Sequence, residues 1–333
     1  MNGLKVWGSC IMERTVKKNL IDIVIPSYNS KKTIIQCLQS VLNQSYKKPY
    51  KVIVVDSSDD ESDKIIKKYF PEIHFIHIDI KTLPGEARNI GVRESFSDFI
   101  AFTDTDCIVD YYWIDRIMDR MNSHCFDAVG GSILNGTSDD IIGTLGYLNE
   151  FSFFMPIMKS GFVKAIATAN VCYKSNIFHN QHFIDYSFAG EDTIFHWTIL
   201  ANGGNIFFDP EIKVIHLNRT GLINILKHQL KMGQGAGIAR IIMNKDTVLI
   251  HFPVLCILLL PWIRIFRMNK RIFLNDKKFW RKIIRYFPLS LLISYAWCVG
   301  FYHSIKTSKS KRTALIDTAF FFWVKKSFFS TTQ

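Results

Sequence analysis

The chain has 333 residues, 48% of them hydrophobic and 14% aromatic, with 41 Lys and Arg against 29 Asp and Glu. That apolar content supports a large buried core and excludes a disordered chain, while nine Pro and eighteen Gly exclude a collagen-like or low-complexity one. The net charge of +12 suggests a polyanionic partner, but it is not spread evenly: residues 1–246 carry 26 basic and 27 acidic side chains, and residues 247–333 carry 15 and 2.

From Ile21 the sequence alternates between strand-like and helix-like runs. IDIVIPSY is a short β-branched run ended by a turn, and Thr33 to Leu42 has apolar residues at helical spacing. YKVIVVDSS is the near-continuous apolar run of a strand covered on both faces, followed by a helical segment from Ser62 to Tyr69. A third strand (IHFIHID), a Pro84-Gly85 turn, a helix from about Glu86 to Ser95 and a fourth strand (DFIAFTD) complete the series. This alternation predicts an α/β fold with βαβ crossovers and a mostly parallel sheet, in which ligands bind beyond the carboxyl ends of the strands. Asn29, Asp56, Asp104 and Asp106 fall at such strand ends.

Asp104 and Asp106 stand two apart directly after an apolar strand. Two carboxylates held close need a cation between them or the neutralisation of one, and oxygen ligands suit Mg²⁺ or Mn²⁺. A solvated turn capping the next helix is the plainer alternative. Gly190-Glu191-Asp192 opens a helical run, where acidic charge favours a helix N-terminus and a carboxylate can also act as a base. His216 ends an apolar strand, a place where a lone histidine is more often structural than a ligand; His74, His77 and His228 read as strand or surface residues.

The runs IVIPSYNSKKTIIQCLQSVLNQSY, VIVVDSSDDES, LPGEARNIGV, FTDTDC and AGEDTIF, in that order, resemble the family 2 glycosyltransferases of the GT-A fold, a Rossmann-like nucleotide-diphospho-sugar transferase fold, over about Ile21 to Gly237. The resemblance implies that the loop of Pro26, Tyr28 and Asn29 lies against the nucleotide and that Asp56 accepts from the base. The usual D-D-G-S pattern is replaced here by Asp56-Ser57-Ser58-Asp59. It implies further that Arg88 and Asn89 touch the nucleotide or its diphosphate, that Asp104 faces the ribose, and that Asp106 and His216 hold Mn²⁺ or Mg²⁺. Asp192 becomes the general base, with Glu191 orienting it or contacting the acceptor. Asn170 matches an asparagine bordering the acceptor side, although a turn or cap asparagine reads equally well. After Gln229 the chain reads Leu230-Lys231-Met232-Gly233, without the Q-x-x-R-W signature of processive synthases, so a single sugar addition is expected.

Downstream lie two apolar runs, Thr247 to Ile263 and Tyr286 to Tyr302, each about 17 residues and each containing proline, and a shorter one, Ala319 to Val324. Nine basic residues and one acidic fill Arg264 to Arg285 between them. Cations flanking apolar segments indicate a membrane rather than nucleic acid, and no nucleic-acid partner is expected. If both long runs spanned, the basic linker would lie outside, against the positive-inside tendency; surface-lying segments avoid this, and both topologies stay open. The seven cysteines form no CxxC pair, which favours reduced thiols, and the first twenty residues contain no apolar core of signal-peptide length, so the catalytic region is expected on the cytoplasmic side of the cell membrane.

The expected organisation is a leader (1–19), a GT-A catalytic domain (20–240) and a basic, hydrophobic membrane-associated region (241–333). The expected activity is inverting transfer from a nucleotide-diphosphate sugar to a hydroxyl of a glycan or lipid-linked acceptor in cell-surface polysaccharide or glycan assembly. The alternative is a non-catalytic nucleotide-sugar-binding assembly partner at the membrane.

Overall fold

A computed structural model describes residues 20–184, 189–244 and 253–307. The 1–19 leader, the start of the first long apolar run and the run at Ala319 to Val324 lie outside these residues. In chain order the first elements are β1 (Ile21–Ser27), α1 (Ile34–Leu42), β2 (Lys51–Asp56), α2 (Ser62–Tyr69), β3 (His74–His77), α3 (Pro84–Arg93) and β4 (Phe99–Phe102). They sit where the apolar runs predicted, with one difference: Pro84 and Gly85 open α3 instead of forming a separate turn. Proline suits that position because the first helical N–H has no partner within the helix. Next come β5 (Cys107–Val109), α4 (Trp113–Ser123), β6 (Ala128–Asn135), α5 (Ile141–Phe151), β7 (Gly161–Phe162), β8 (Val171–Lys174), α6 (Glu191–Ala201), β9 (Ile206–His216) and α7 (Leu222–Ile242). Helices α8 (Pro253–Asn275) and α9 (Lys277–Ile283) follow, and a turn of 3₁₀ helix leads into α10 (287–307).

The sheet runs β3-β2-β1-β4-β8-β6-β9-β5, with β7 added beside β9. Its first half is parallel, as the alternation predicted. Beyond β4 it becomes mixed: β8 is antiparallel to both β4 and β6, β9 is parallel to β6, and β5 returns antiparallel along β9. Side chains alternate across it as the strand period requires. Ile21, Ile23, Ile25, Val52 and Val54 pack with Ile34, Leu38 and Ile66 on one side, whereas Val24, Ile53 and Val55 pack with Ala87, Phe195 and Ile199 on the other. The result is a sheet between helical layers. Strand order reverses at β1, flanked by β2 and β4, and the loops after β1 and β4 part there to form a crevice.

The C-terminal helices are part of this packing. Ile265, Met268 and Ile272 of α8 and Ile283 of α9 belong to the same core as β1 and α1.

Candidate active site

Cavities of about 1210 and 540 Å³ open at the crevice and share Tyr28, Lys81, Asp106 and Glu191 in their walls. Sheet register explains the convergence. A tight turn, in which the Cys107 N–H donates to the Asp104 carbonyl at 3.0 Å, leads from β4 into β5. Strand β5 then pairs with β9 so that Cys107 faces His216, while the Leu217 N–H donates to the Asp106 carbonyl at 2.8 Å. Residues far apart in sequence therefore meet: His216 Nε2 stands 3.5 Å from Asp106 Oδ1.

Arg88 joins the acidic motifs. It lies on the buried face of α3, and its terminal nitrogens donate in two directions: Nη2 to Asp104 Oδ1 at 2.8 Å and Nη1 to Glu191 Oε1 at 2.9 Å. Burial works against its charge, but the carboxylates of Asp104 and Glu191 outweigh that and hold it firmly protonated. Its Nε is buried without a hydrogen-bond partner. Gly190, at φ +114°, takes the left-handed conformation that turns the chain into α6, and its N–H donates to Glu191 Oε2 at 3.0 Å. Asp192, in the first turn of α6, accepts from the Thr193 N–H at 2.6 Å. Deep in the cleft, desolvation first and the Glu191 charge second push its carboxyl up to about 7, against the pull of Arg88 and Thr193.

The Asp106 and His216 pair fits a divalent cation. His216 Nδ1 lies 2.9 Å from Asn218 Oδ1, while the Asn218 amide nitrogen donates to Asn135 Oδ1 and Thr137 Oγ1 at 2.8 and 3.0 Å. The oxygen facing His216 is thus an acceptor and takes a hydrogen bond from Nδ1, which orients Nε2 toward Asp106. A carboxylate oxygen and an imidazole nitrogen 3.5 Å apart can share a divalent cation. Cys107 lies near enough to complete a three-residue cluster. Burial, with Asp106 and Asp104 adding to it, pushes its thiol well above the ordinary range, and a protonated sulfur suits neither Mg²⁺ nor Mn²⁺.

Of the other predicted residues, Pro26, Tyr28 and Asn29 line the crevice, with Lys81 Nζ 4.2 Å from the Tyr28 ring centroid. Asn29 has φ +51° and is gripped by its N–H donating to Ser58 Oγ and its Oδ1 accepting from the Asp59 N–H. Asp56, Asn89 and Asn170 line neither cavity. Asp56 is fully buried; it accepts from Ser27 Oγ and Ser58 Oγ, both at 2.6 Å, and from the Ser58 N–H at 3.2 Å, and it pairs with His77 Nδ1 at 2.8 Å. Asn89 exchanges hydrogen bonds with the backbone of Phe183. Asn170 is fully buried, accepting from Trp113 Nε1 at 2.8 Å and donating to the carbonyls of Ser132 and Ile212, both at 2.9 Å. Its neighbours Thr168 and Ala169 line the cleft instead.

Sequence reasoning passed over several contributors. His228, read as a strand or surface residue, pairs with Glu150 at 2.9 Å in the cavity wall. Arg219 supplies a cation to the same wall, and Trp297 reaches it from α10. No local pattern marks them, because the packing of α5, α7 and α10 brings them together.

A crevice at the strand-order reversal, walled by an arginine-linked acidic cluster and a carboxylate facing a histidine, belongs to the class of GT-A nucleotide-sugar transferases. Comparison with known proteins narrows the class: the model of Glycosyl transferase family 2 matches residues 22–182, and the relatives that the chain resembles are glycosyltransferases. It is 28% identical over 233 residues to glycosyltransferase AglE of Haloferax volcanii, covering 65% of this chain and 72% of that one. It is 25% identical over 225 residues to poly-beta-1,6-N-acetyl-D-glucosamine synthase of Staphylococcus aureus, where the match covers 65% of this chain but only 54% of the synthase. Among solved structures, mannosyltransferase PcManGT from Pyrobaculum calidifontis, in complex with GDP-Man and Mn²⁺, superposes with a TM-score of 0.57 at 12% identity, over 90% of this chain and 89% of that one. That likeness concerns the fold.

Proposed function

We propose that the protein transfers one sugar, with inversion, from a nucleotide-diphosphate donor to a hydroxyl of a glycan or lipid-linked acceptor in cell-surface polysaccharide or glycan assembly. It works at the cell membrane with its catalytic region, residues 20–240, on the cytoplasmic side, and residues 241–333 serve attachment. The observation that carries the chemistry is the placement of Asp192, beside Glu191 in a cavity it shares with Asp104, Asp106 and His216; desolvation there, with the Glu191 charge, pushes its carboxyl up to about 7. A base with that affinity takes a hydroxyl proton near neutrality.

In this reading Asp192 removes the acceptor proton as the acceptor oxygen bonds to the anomeric carbon. The bond from that carbon to the diphosphate oxygen breaks with its electron pair, and the nucleoside diphosphate leaves. Asp106 and His216 would hold Mn²⁺ or Mg²⁺, which when bound supplies positive charge to the departing diphosphate. Arg88 holds Asp104 and Glu191 in place; Glu191 in turn sets the charge beside Asp192. Pro26, Tyr28 and Asn29 line the donor side with Lys81. Asp56 shapes that side from beneath by fixing Ser58, which grips Asn29. Asn89 and Asn170 act through the backbone they hold.

The test compares Asp192→Asn and Asp106→Ala with wild type for transfer from a panel of nucleotide sugars, and for thermal stabilisation by donor with Mn²⁺. Asp192→Asn should abolish transfer and keep donor stabilisation, whereas Asp106→Ala should lose both. Near-normal turnover in both variants refutes the assignment.

A further inference from the structure

Helix α8 is apolar on two sides. Ile265, Met268 and Ile272 face the core. Another side carries Leu258, Trp262 and Phe266 at four-residue intervals, joined by Leu259 and Ile263, with Leu258 55% and Phe266 68% exposed. A helix packed on one face normally turns polar residues away from it, and a contiguous exposed apolar stripe marks an interaction surface. Beyond the stripe the exposed surface becomes cationic, through Arg267, Lys270, Lys277, Lys278, Arg281 and Lys282. This combination matches the acyl boundary and anionic headgroups of a bilayer.

The helical stretch Lys277–Thr307 contains a window long and apolar enough to cross a membrane, but its packing opposes crossing. Helices α7 and α10 touch backbone to backbone. A Cβ on Gly233 would come within 1.8 Å of the Trp297 carbonyl oxygen, and one on Gly300 within 2.0 Å of that of Leu230. Helix α7 is locked in the same way to the acidic motif, since a Cβ on Gly235 would lie 1.4 Å from the Ala189 carbonyl oxygen. Trp297, midway along α10, therefore sits in the wall of the cavity that holds Asp192 and Arg88. Were α10 to span with its midpoint at the bilayer centre, that cavity would lie ~15 Å inside hydrocarbon, out of reach of a water-soluble donor. Arg264, with its Cζ 3.9 Å from the Trp297 ring centroid, ties α8 to this wall.

We infer that the C-terminal region attaches to one leaflet of an anionic bilayer from one side: the Leu258, Trp262 and Phe266 stripe lies in the interface, the cations meet the headgroups, and α10 stays within the protein without crossing. This rests on the membrane-associated reading above but not on the transfer chemistry. It also removes the conflict between a basic linker and two spanning segments, because every cation remains on one side.

The full-length protein is tested by flotation with vesicles of phosphatidylcholine alone and with phosphatidylglycerol added. It should float with the anionic vesicles and be released by high salt. Leu258→Glu with Phe266→Glu, both exposed positions, should weaken binding by roughly tenfold or more while leaving donor-induced thermal stabilisation unchanged. In sealed inverted membrane vesicles, Lys278→Cys and Thr307→Cys, each in a background without reagent-accessible cysteines, should label from the same side. Opposite-side labelling, flotation that the double variant leaves intact, or self-association through the stripe in place of lipid binding overturns the inference. An inactive transferase would still float, so failure of the wild-type protein to float with donor stabilisation intact refutes the attachment alone.

Discussion

Replacing Arg88 tests the electrostatic design of the site most directly. Arg88→Met keeps much of the aliphatic stem but leaves Asp104, Glu191 and Asp192 facing one another without the cation between them. Removing one partner of a buried ion pair costs about 3–5 kcal/mol. Here Arg88 is 3% exposed, but Asp104 is 31% and Glu191 15% exposed, so water takes up part of the loss. A decrease of about 2–4 kcal/mol in unfolding free energy is expected, read by urea denaturation at neutral pH. Arg88→Lys retains the charge but not the fork, and a single ammonium cannot reproduce both planar contacts; it should recover stability better than activity. Arg88 also pulls Asp192 downward, so its removal raises that carboxyl further and moves the acid limb of the transfer rate to higher pH. A methionine variant within about 0.5 kcal/mol of wild type, with an unmoved pH profile, would refute the reasoning.

For wild type, transfer should rise with pH through about 7 as Asp192 ionises, measured as kcat in saturating donor and acceptor. Stability should run the other way: the folded carboxyl holds its proton up to about 7 whereas the unfolded one releases it near 3.8, so this group's contribution is lost as pH climbs across that window. Asn218→Ala, which frees His216 Nδ1, should weaken Mn²⁺ binding about 10–100-fold in a direct titration, at a cost of about 1–2 kcal/mol in urea from the part-buried bonds lost to Asn135 and Thr137. Asn170→Ala strands the Trp113 indole N–H and two backbone carbonyls, at a cost of about 2–4 kcal/mol in urea. Its kcat should be near wild type at low temperature; a selective loss of acceptor affinity would restore it to the acceptor site.

The parallel half of the sheet was legible because its strands carry continuous apolar runs and its helices a different period, both local signals. The carboxylates of Asp104, Asp106, Glu191 and Asp192 were legible as motifs for the same reason. The partners of Arg88 were not, since the fork depends on where α6 begins relative to α3, a long-range property of packing. Asn89 and Asn170 show the converse: a motif position names a residue type without saying which way its side chain turns. In each case the backbone groups needing hydrogen bonds captured the amide. Asp56 follows the same logic, because Ser58 supplies a hydroxyl and an N–H close enough to occupy the carboxylate from within.

The C-terminal quarter changes meaning once Gly233, Gly235 and Gly300 are seen as contact points. By charge and hydropathy the chain divides into a neutral enzyme and a cationic tail, but the tail contributes Ile265, Met268 and Ile272 to the main core and Trp297 to the cavity. Backbone contact between α7 and α10 leaves no room for a side chain, so the helices cannot slide past one another without separating. Beside the core contacts of Ile265, Met268 and Ile272, α8 has a path through Arg264 and Trp297 to α7, and from Gly235 to the Ala189-Gly190 turn that sets the start of α6. The residue that begins that helix is Glu191, and the next is the proposed base. The proposed attachment and the proposed chemistry thus share one rigid connection, which gives a physical reason for an acceptor held at a membrane to meet Asp192 at a fixed height above the bilayer.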